Sequence, residues 1–242
     1  IGAASGCALI IAVLAKIDAP SAALASAALA AVGAGAFAFA AGRSVLPALG
    51  VALALALLSF GNAHALRPAL RPAWVKGLPD DLGAFDFVGW NTYSRVTVRK
   101  AMNAPPAVWA KGRNTPPELL APVEQRVIEI DGAAGTIMTR LSGSAAAHAY
   151  LGWDISSAAH GLRPTGPAAV IGVGGGRDLL AALSAGHKPV VGIELNDLIV
   201  GLHRNRLADF SGLSRLPDVQ IIADEARSHL ARDTRRYNVI TM

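Results

Sequence analysis

Three charge-poor apolar blocks occupy the first 66 residues of the chain, at positions 1–15, 21–42 and 44–66. About 20 apolar residues cross a bilayer as a helix, so the second and third blocks are long enough, and the first resembles part of another span. Alanine-rich helices are also buried in soluble proteins, but two successive helices that are apolar on every side are unusual there. The pattern predicts about three transmembrane helices in residues 1–66 and does not fit a signal peptide.

Basic residues beside these blocks predict the orientation of the spans. Arg67, Arg71 and Lys76 follow the third block, and Lys16 lies in the loop on the same side, whereas the opposite loop contains only Arg43. Because basic residues concentrate on the cytoplasmic side, the globular part is expected in the cytoplasm, anchored to an inner or plasma membrane.

After the apolar blocks, residues 67–84 hold three prolines and Trp74, which predicts a linker at the membrane interface. Residues 85–166 are expected to form a β-rich segment with one helix. The Asp131-Gly132 pair is a hairpin-turn signal. The predicted elements of this segment are strands at 85–99, 125–130 and 136–141, a proline-rich loop at 104–117 and a helix at 150–162.

Residues 167–242 show the alternation of apolar runs and helical segments that is typical of a parallel sheet. The predicted elements are strands at 168–171, 190–193, 219–223 and 237–242, and helices at 178–184, 197–209 and 225–231. The predicted fold class is therefore an α-helical membrane segment followed by α/β. Its globular part is a small antiparallel β layer plus an incomplete Rossmann-like, class I methyltransferase-like domain, because both ends of the chain are expected to be truncations.

Composition removes several classes of function. The net charge is +5, but the basic residues are scattered and have no aromatic-interleaved patch, so nucleic-acid binding is not expected. Cys7 is the single cysteine, which excludes a disulfide framework and a thiolate metal site. The six histidines show no close pair, so no metal is expected. A nucleophile-elbow G-x-S-x-G motif is absent from the sequence.

The glycine cluster after the first parallel strand predicts a nucleoside site. A dinucleotide fingerprint needs a glycine at the sixth position, where Arg177 stands. The pattern is instead G-x-G-x-G, the form used by S-adenosylmethionine-type binders, and it makes the loop glycines candidate ligand contacts: Gly172, Gly174, Gly175 and Gly176. Asp178 could reach the ligand's amino group or simply compensate the helix dipole.

Two acidic residues end the strands that follow. Glu194 ends the second strand, where a carboxylate can accept hydrogen bonds from both ribose hydroxyls; the alternative is a solvated strand-end acid. Asp224 ends the third strand, where an acid commonly contacts the adenine amino group; it could also cap the helix at 225–231. Both belong to the carboxyl edge of the sheet, where ligands bind in open α/β folds.

Taken together, residues 87–242 resemble the polyamine aminopropyltransferases, the spermidine synthase family, and specifically a membrane-fused branch of it. The motifs are the strand at 94–99, the Ile130-Asp131-Gly132 turn, VIGVGGGRD, GIELN, IADEAR and YNVI. The resemblance implies a decarboxylated S-adenosylmethionine site that includes Glu194 for the ribose and Asp224 for the adenine, with Glu225 and Ala226 as further ligand-binding residues. The family's Tyr-His-Glu run is absent, and Tyr150 and Trp153 fall near its place as candidate substrate contacts.

The resemblance implies transfer of an aminopropyl group to a small-molecule amine, in polyamine biosynthesis. The family's catalytic base follows the fourth strand, so it is expected just after Met242, and residues 1–242 are expected to be inactive. Two alternatives stay open: an S-adenosylmethionine-dependent methyltransferase on the same fold, and a membrane-tethered nucleoside-binding module without catalysis. The expected partners are the amine and the lipid bilayer, and a homo-oligomer is left open.

Overall fold

A computed structural model describes residues 2–143 and 145–242 of the chain. The chain divides into two compact units. The first contains the residues up to Leu82 together with Val88–Arg95, and the second contains Gly83–Phe87 and Val96–Met242. The second unit carries the glycine cluster and the acidic strand ends that the sequence singles out.

Three helices begin the first unit: α1 (Gly2–Leu14), α2 (Ala19–Ala40) and α3 (Leu46–His64). Asp18 caps α2, because its Oδ1 accepts a hydrogen bond from the Ser21 amide at 2.9 Å. Among the described residues, α2 and α3 are long and apolar enough to cross a membrane, a property shared by buried helices of soluble proteins and by signal sequences, and α1 is shorter. The helices at the predicted positions are confirmed; their insertion in a membrane stays a prediction.

Polar side chains join α2 to α3 at one end of the pair. The Ser59 hydroxyl donates to the Ser21 carbonyl at 2.8 Å, and the Asn62 amide donates to the Ser21 hydroxyl at 2.9 Å. Asn62 also accepts from the Leu70 amide at 2.8 Å, which ties the following segment to the helix. The predicted linker contains a short hairpin of strands β1 (Trp74–Val75) and β2 (Leu78–Pro79).

The antiparallel layer is organised around one long strand. β6 (Val123–Ile130) pairs along its length with β7 (Ala134–Thr139), and the predicted turn at Asp131-Gly132 has positive φ at both residues. The sheet has the order β3–β4–β6–β5, with β7 also paired to β6. The remaining strands are β3 (Phe85–Trp90), β4 (Arg95–Arg99) and β5 (Met102–Ala104). The predicted hairpin is confirmed.

The second sheet is parallel, with the order β10–β9–β8–β11. Its strands are β8 (Ala168–Ile171), β9 (Val190–Glu194), β10 (Val219–Ala223) and β11 (Val239–Thr241). The helix α5 (Arg177–Ser184) connects β8 to β9, and its buried leucines pack with both strands in one hydrophobic core. Helices with a mixed α/β domain and a parallel sheet agree with the predicted fold class.

Two predicted helices differ in the structure. The helix predicted at 150–162 is replaced by three elements. A 3-10 segment at Ala145–Trp153 is followed by a second at Ile155–Ser157 and then by α4 (Ala158–Leu162). Asp154 lies between the 3-10 segments in an extended conformation and accepts from the Ser156 amide, so it starts a new turn and interrupts the helix.

The helix predicted at 197–209 is also interrupted. It consists of α6 (Asp197–Gly201), a π-helical turn at Leu202–Arg206 and α7 (Ala208–Ser211). This segment packs against the antiparallel sheet in a second hydrophobic core that includes Val96, Ile128 and Met138. Another 3-10 turn follows at Leu213–Arg215, and α8 (Ala226–Arg232) follows β10; 3-10 turns also lie at Leu82–Ala84 and Pro117–Leu120.

Candidate active site

A cleft of about 480 Å³ opens in the second unit where the glycine loop meets the antiparallel layer. An apolar wall is formed by residues 107–110 of the proline-rich loop, and residues 135–137 of β7 form another side. The remaining side is the glycine loop with the first turn of α5: Gly172, Val173, Gly174, Arg177 and Asp178. The cleft is therefore apolar on one side and lined by backbone amides and charges on the other.

Positive φ angles shape the glycine loop. Gly172, Gly174 and Gly176 have φ of 79°, 50° and 86°, which a residue with a Cβ atom rarely adopts. A Cβ on Gly172 would meet no atom within 4 Å, so this glycine faces open space. The predicted close approach of a ligand to Gly172 and Gly174 stays a prediction, and both line the cleft.

Packing inside the protein requires the other two glycines. A Cβ on Gly175 would lie 2.1 Å from the Ile137 carbonyl oxygen, and one on Gly176 would lie 2.3 Å from a Leu213 methyl group. The Gly175 amide also donates to the Thr136 hydroxyl at 3.2 Å. The loop is thus pressed against β7, a contact that the glycine spacing alone did not indicate.

Glu194 holds the same loop from the end of β9. The residue is only 8% exposed, and its Oε2 accepts from the Gly174 amide at 3.1 Å while Oε1 accepts from the Asn196 amide at 2.9 Å. It is therefore not a solvated strand-end acid. Glu194 is not among the residues that line the cleft, and it is connected to the cleft through Gly174.

His203 supports the loop from the π-helical turn. Its Nε2 lies 2.8 Å from the Gly174 carbonyl oxygen, and the side chain is fully buried. Burial lowers the pKa of His203, although the hydrogen bond to Gly174 and the charge of Glu194 act in the opposite direction. Because a carbonyl oxygen only accepts, the Nε2 atom of His203 is the donor in its hydrogen bond to the loop.

Asp178 lies on the cleft wall in the first turn of α5. Its Oδ1 accepts from the Ser156 hydroxyl at 3.3 Å and lies 3.6 Å from Nε of Arg177. The Arg177 guanidinium is also 3.1 Å from Asp154, whose side chain is 1% exposed. Asp178 remains available at the cleft surface, so both its ligand role and its dipole role stay predictions.

Asp224 follows β10 and meets cations of the next helix. Its backbone amide donates to the Glu194 carbonyl at 3.1 Å, which places the two acidic residues on adjacent strand ends. Its carboxylate accepts from the Glu225 amide at 2.8 Å, from His229 at 3.3 Å and from Arg232 at 2.6 Å. Desolvation raises the pKa of Asp224, but these hydrogen bonds and the Arg232 charge outweigh it, so the pKa lies below its usual value.

The helix cap after β10 is Glu225 rather than Asp224. Glu225 accepts from the Arg227 and Ser228 amides at 2.9 and 2.8 Å, and its hydrogen bond with Ser228 contributes most to lowering its pKa. Ala226 is the first residue of α8. Glu225 thus bonds to the amides of the second and third residues after it, so the capping role considered for Asp224 is wrong.

Tyr150 and Trp153 do not line the cleft. Tyr150 is 4% exposed and belongs to the hydrophobic core, with its hydroxyl 3.4 Å from the Thr139 hydroxyl. Burial raises the pKa of the Tyr150 phenol. Trp153 is partly exposed, and its role in substrate contact stays a prediction.

Sequence reasoning missed Trp109 and Thr136, which line the cleft, and Asp154, which contacts the lining residues Trp109 and Arg177. The sequence places Trp109 in the proline-rich loop at 104–117, and a tryptophan in such a loop is itself a signal of a binding surface. Thr136 and Asp154 act through contacts with Gly175 and Arg177, which are distant in sequence. Among the described residues, no three His, Cys, Asp or Glu side chains are grouped as a metal site requires.

No family model and no curated protein matches the chain. Among solved structures, it is similar to a spermidine synthase in complex with the transition-state analogue AdoDATO, with 13% identity and a TM-score of 0.40 over 74% of this chain and 58% of that chain. It is also similar to the spermidine synthase from Thermotoga maritima, with the same identity and TM-score over 71% of this chain and 57% of that one. The chain thus spans less than two thirds of the length of either neighbour.

Proposed function

We propose that the chain is part of a membrane-anchored, spermidine-synthase-like aminopropyltransferase that binds decarboxylated S-adenosylmethionine. The observation that carries the proposal is the Glu194 carboxylate at the carboxyl edge of β9, bonded to the Gly174 amide in the wall of the cleft. Ligands of open α/β sheets bind at this edge, and an acid at the end of the second strand is positioned for the ribose hydroxyls.

In this proposal each acidic residue receives one part of the ligand. Glu194 accepts hydrogen bonds from the ribose hydroxyls. Asp224, on the adjacent strand end, accepts a hydrogen bond from the adenine amino group, next to Glu225 and Ala226. Asp178, on the cleft wall, accepts a hydrogen bond from the amino group of the aminopropyl chain. The acceptor amine attacks the carbon next to the sulfonium, the carbon–sulfur bond breaks, a neutral thioether leaves, and the amine gives one proton to water. Correct orientation of the two reactants supplies much of the rate of such a displacement.

The balance of charge at the cleft favours the decarboxylated ligand over ordinary S-adenosylmethionine. Arg177 is the cation among the described residues that line the cleft, and Asp154 and Asp178 lie 3.1 and 3.6 Å from it. Together with Glu194, which is bonded to the loop, these described residues carry three carboxylates and one guanidinium group. Decarboxylated S-adenosylmethionine has a sulfonium and an ammonium group and no carboxylate, so its two positive charges match this excess.

Membrane anchoring by α2 and α3 is supported by their exposed apolar side chains. Phe37 is 81% exposed and Phe60 is 66% exposed, and a lipid environment would remove such surfaces from water. The basic residues around Lys16 and Arg67 favour a cytoplasmic location for the second unit.

Equilibrium dialysis of the 242-residue chain in lipid nanodiscs tests the ligand. We expect decarboxylated S-adenosylmethionine to bind about tenfold or more tightly than S-adenosylmethionine, because the added carboxylate meets Asp178. Glu194→Gln should weaken binding of both by about 10- to 100-fold, the range for a hydrogen bond to a charged group. Glu129→Gln, on the antiparallel sheet, is the matched control and should bind as wild type does.

Tighter binding of ordinary S-adenosylmethionine would instead favour the methyltransferase. Binding of neither ligand would overturn the proposal.

A further inference from the structure

Trp109 is an exposed aromatic residue held at a fixed position on the cleft. The residue is 63% exposed and lines the cleft together with Ala107, Val108 and Ala110. Its neighbours are anchored, since Pro106 is buried and Val108 packs against the hydrophobic core. The indole is therefore exposed to water although the residues beside it are packed, an arrangement that leaves an aromatic surface open to a ligand.

Asp154 is the residue that fixes this loop. Its Oδ2 accepts from the Trp109 amide at 2.8 Å and lies 3.1 Å from the Arg177 guanidinium, while Oδ1 accepts from the Ser156 amide at 2.9 Å. The Ile155 amide donates to the Trp109 carbonyl at 3.2 Å, so both backbone polar groups of Trp109 are bonded to this segment. One buried carboxylate thus joins the apolar wall of the cleft to the first turn of α5.

Arg177 covers part of the indole. Its Cζ lies 5.6 Å from the centroid of the Trp109 ring, a cation–π distance. The Asp154 and Asp178 carboxylates balance the guanidinium charge, so the charge does not prevent a second cation from approaching the exposed part of the ring. Asp178, the proposed partner of the ligand's amino group, lines the same cleft, which places Trp109 near the aminopropyl end of the ligand rather than near Asp224.

We propose that Trp109 contacts the sulfonium group of the ligand through a cation–π interaction, and that Asp154 is a positioning residue that holds the indole for this contact. The inference rests on the proposed function and adds to it a residue that selects the charged sulfonium over the neutral thioether product. A ring of this kind prefers the reactant and releases the product, since the positive charge is lost when the carbon–sulfur bond breaks.

A pair of ligands that differ mainly in this charge tests the proposal. Equilibrium dialysis of the 242-residue chain in nanodiscs compares decarboxylated S-adenosylmethionine with S-adenosyl-3-thiopropylamine, the thioether that keeps the aminopropyl chain and lacks only the S-methyl group and the sulfonium charge. In Trp109→Ala, the preference for the sulfonium should fall by about tenfold relative to wild type, and Trp109→Phe should restore most of it. Trp74→Ala, an equally exposed tryptophan of the first unit, is the matched control and should leave the preference unchanged.

The role of Asp154 is tested in a double-mutant cycle. Asp154→Asn should lower the sulfonium preference in the wild-type background and have little further effect on it in Trp109→Ala, because the carboxylate acts through the indole. A role in stability alone would lower the melting temperature and leave the ratio of the two affinities unchanged. That pattern would overturn the positioning role.

Equal losses for both ligands in Trp109→Ala, or no loss, would overturn the sulfonium contact while the proposed function stands. Failure of wild type to bind either nucleoside would overturn the proposed function and this inference with it.

Discussion

The ends of β9 and β10 carry acids at neighbouring positions of one parallel sheet, yet their surroundings differ. Glu194 is 8% exposed and accepts from two backbone amides, one of them in the glycine loop. The Asp224 side chain is 28% exposed and accepts from His229 and Arg232 of the helix that follows it. Both were predicted from the same argument, that an acid at a strand end contacts a nucleoside.

Glu194 holds the glycine loop in place, whereas Asp224 is held by the helix that follows it. Glu194 bonds to Gly174, which also contacts His203, so a change at the end of β9 reaches the loop and the π-helical turn. The described contacts of the Asp224 carboxylate stay within residues 224–232. Substitutions at the end of β9 should therefore affect the structure of the whole site, and substitutions at the end of β10 should affect only residues 224–232.

Gly175→Ala should have the largest effect, because it disrupts the loop that Glu194 holds. The new methyl group would meet the Ile137 carbonyl oxygen, a backbone atom that cannot move aside. We expect a loss of about 3 kcal/mol or more in the free energy of unfolding, measured by thermal unfolding in detergent with circular dichroism. Gly161→Ala, in open space on α4, is the control, and a loss as small as in this control would contradict the packing of the loop on β7.

Glu194→Gln and Asp224→Asn compare the two strand ends directly. The glutamine has a single acceptor oxygen, so one of the two backbone amides would face an NH2 donor instead of an acceptor, which should cost about 1–3 kcal/mol of stability. Asp224→Asn should change the melting temperature less, since ion pairs in contact with solvent contribute little. Equal shifts of the two melting temperatures would show that the ends of β9 and β10 do not differ in this way.

The smallest effect is expected in the acid dependence of stability. The pKa of Asp224 is lowered from 3.8 in the folded protein, so its ionised form stabilises the fold above that value, and this stabilisation is lost as pH falls through the folded pKa. Asp224→Asn should therefore be less stable than wild type near pH 6, and the difference should disappear in strong acid. A difference that persists at low pH would mean that the contacts of the ionised carboxylate are not its source.

Strands of the parallel sheet could be predicted closely because buried runs between turn signals are local patterns. β8 and β10 occupy the predicted residues 168–171 and 219–223, and the Asp131-Gly132 turn joins β6 and β7 as expected. The helix at 150–162 could not be predicted correctly, because the side chain of Asp154 bonds to the Ser156 amide and restarts the turn.

The site was predicted in part for the same reason. The sequence identified the glycine loop and the acid at 194, but the spacing of glycines cannot show that Gly175 faces Ile137 and Gly176 faces Leu213, since these partners lie about 40 residues away in opposite directions along the chain. Trp109 is even more distant from Arg177 along the sequence. Its place on the cleft depends on Asp154, which contacts both residues. Long-range packing therefore determines the walls of the cleft.

The hydrogen bond between Glu194 and Gly174 also determines how binding would register in a calorimeter. A ligand that displaces the Gly174 amide from the carboxylate exchanges one hydrogen bond for another, so the heat released reports the difference between the old bond and the new one. The released Gly174 amide can then form a hydrogen bond to the ligand or to water, and the two bonds differ in enthalpy. A weak heat of binding at this site would therefore be compatible with strong contacts to the ribose.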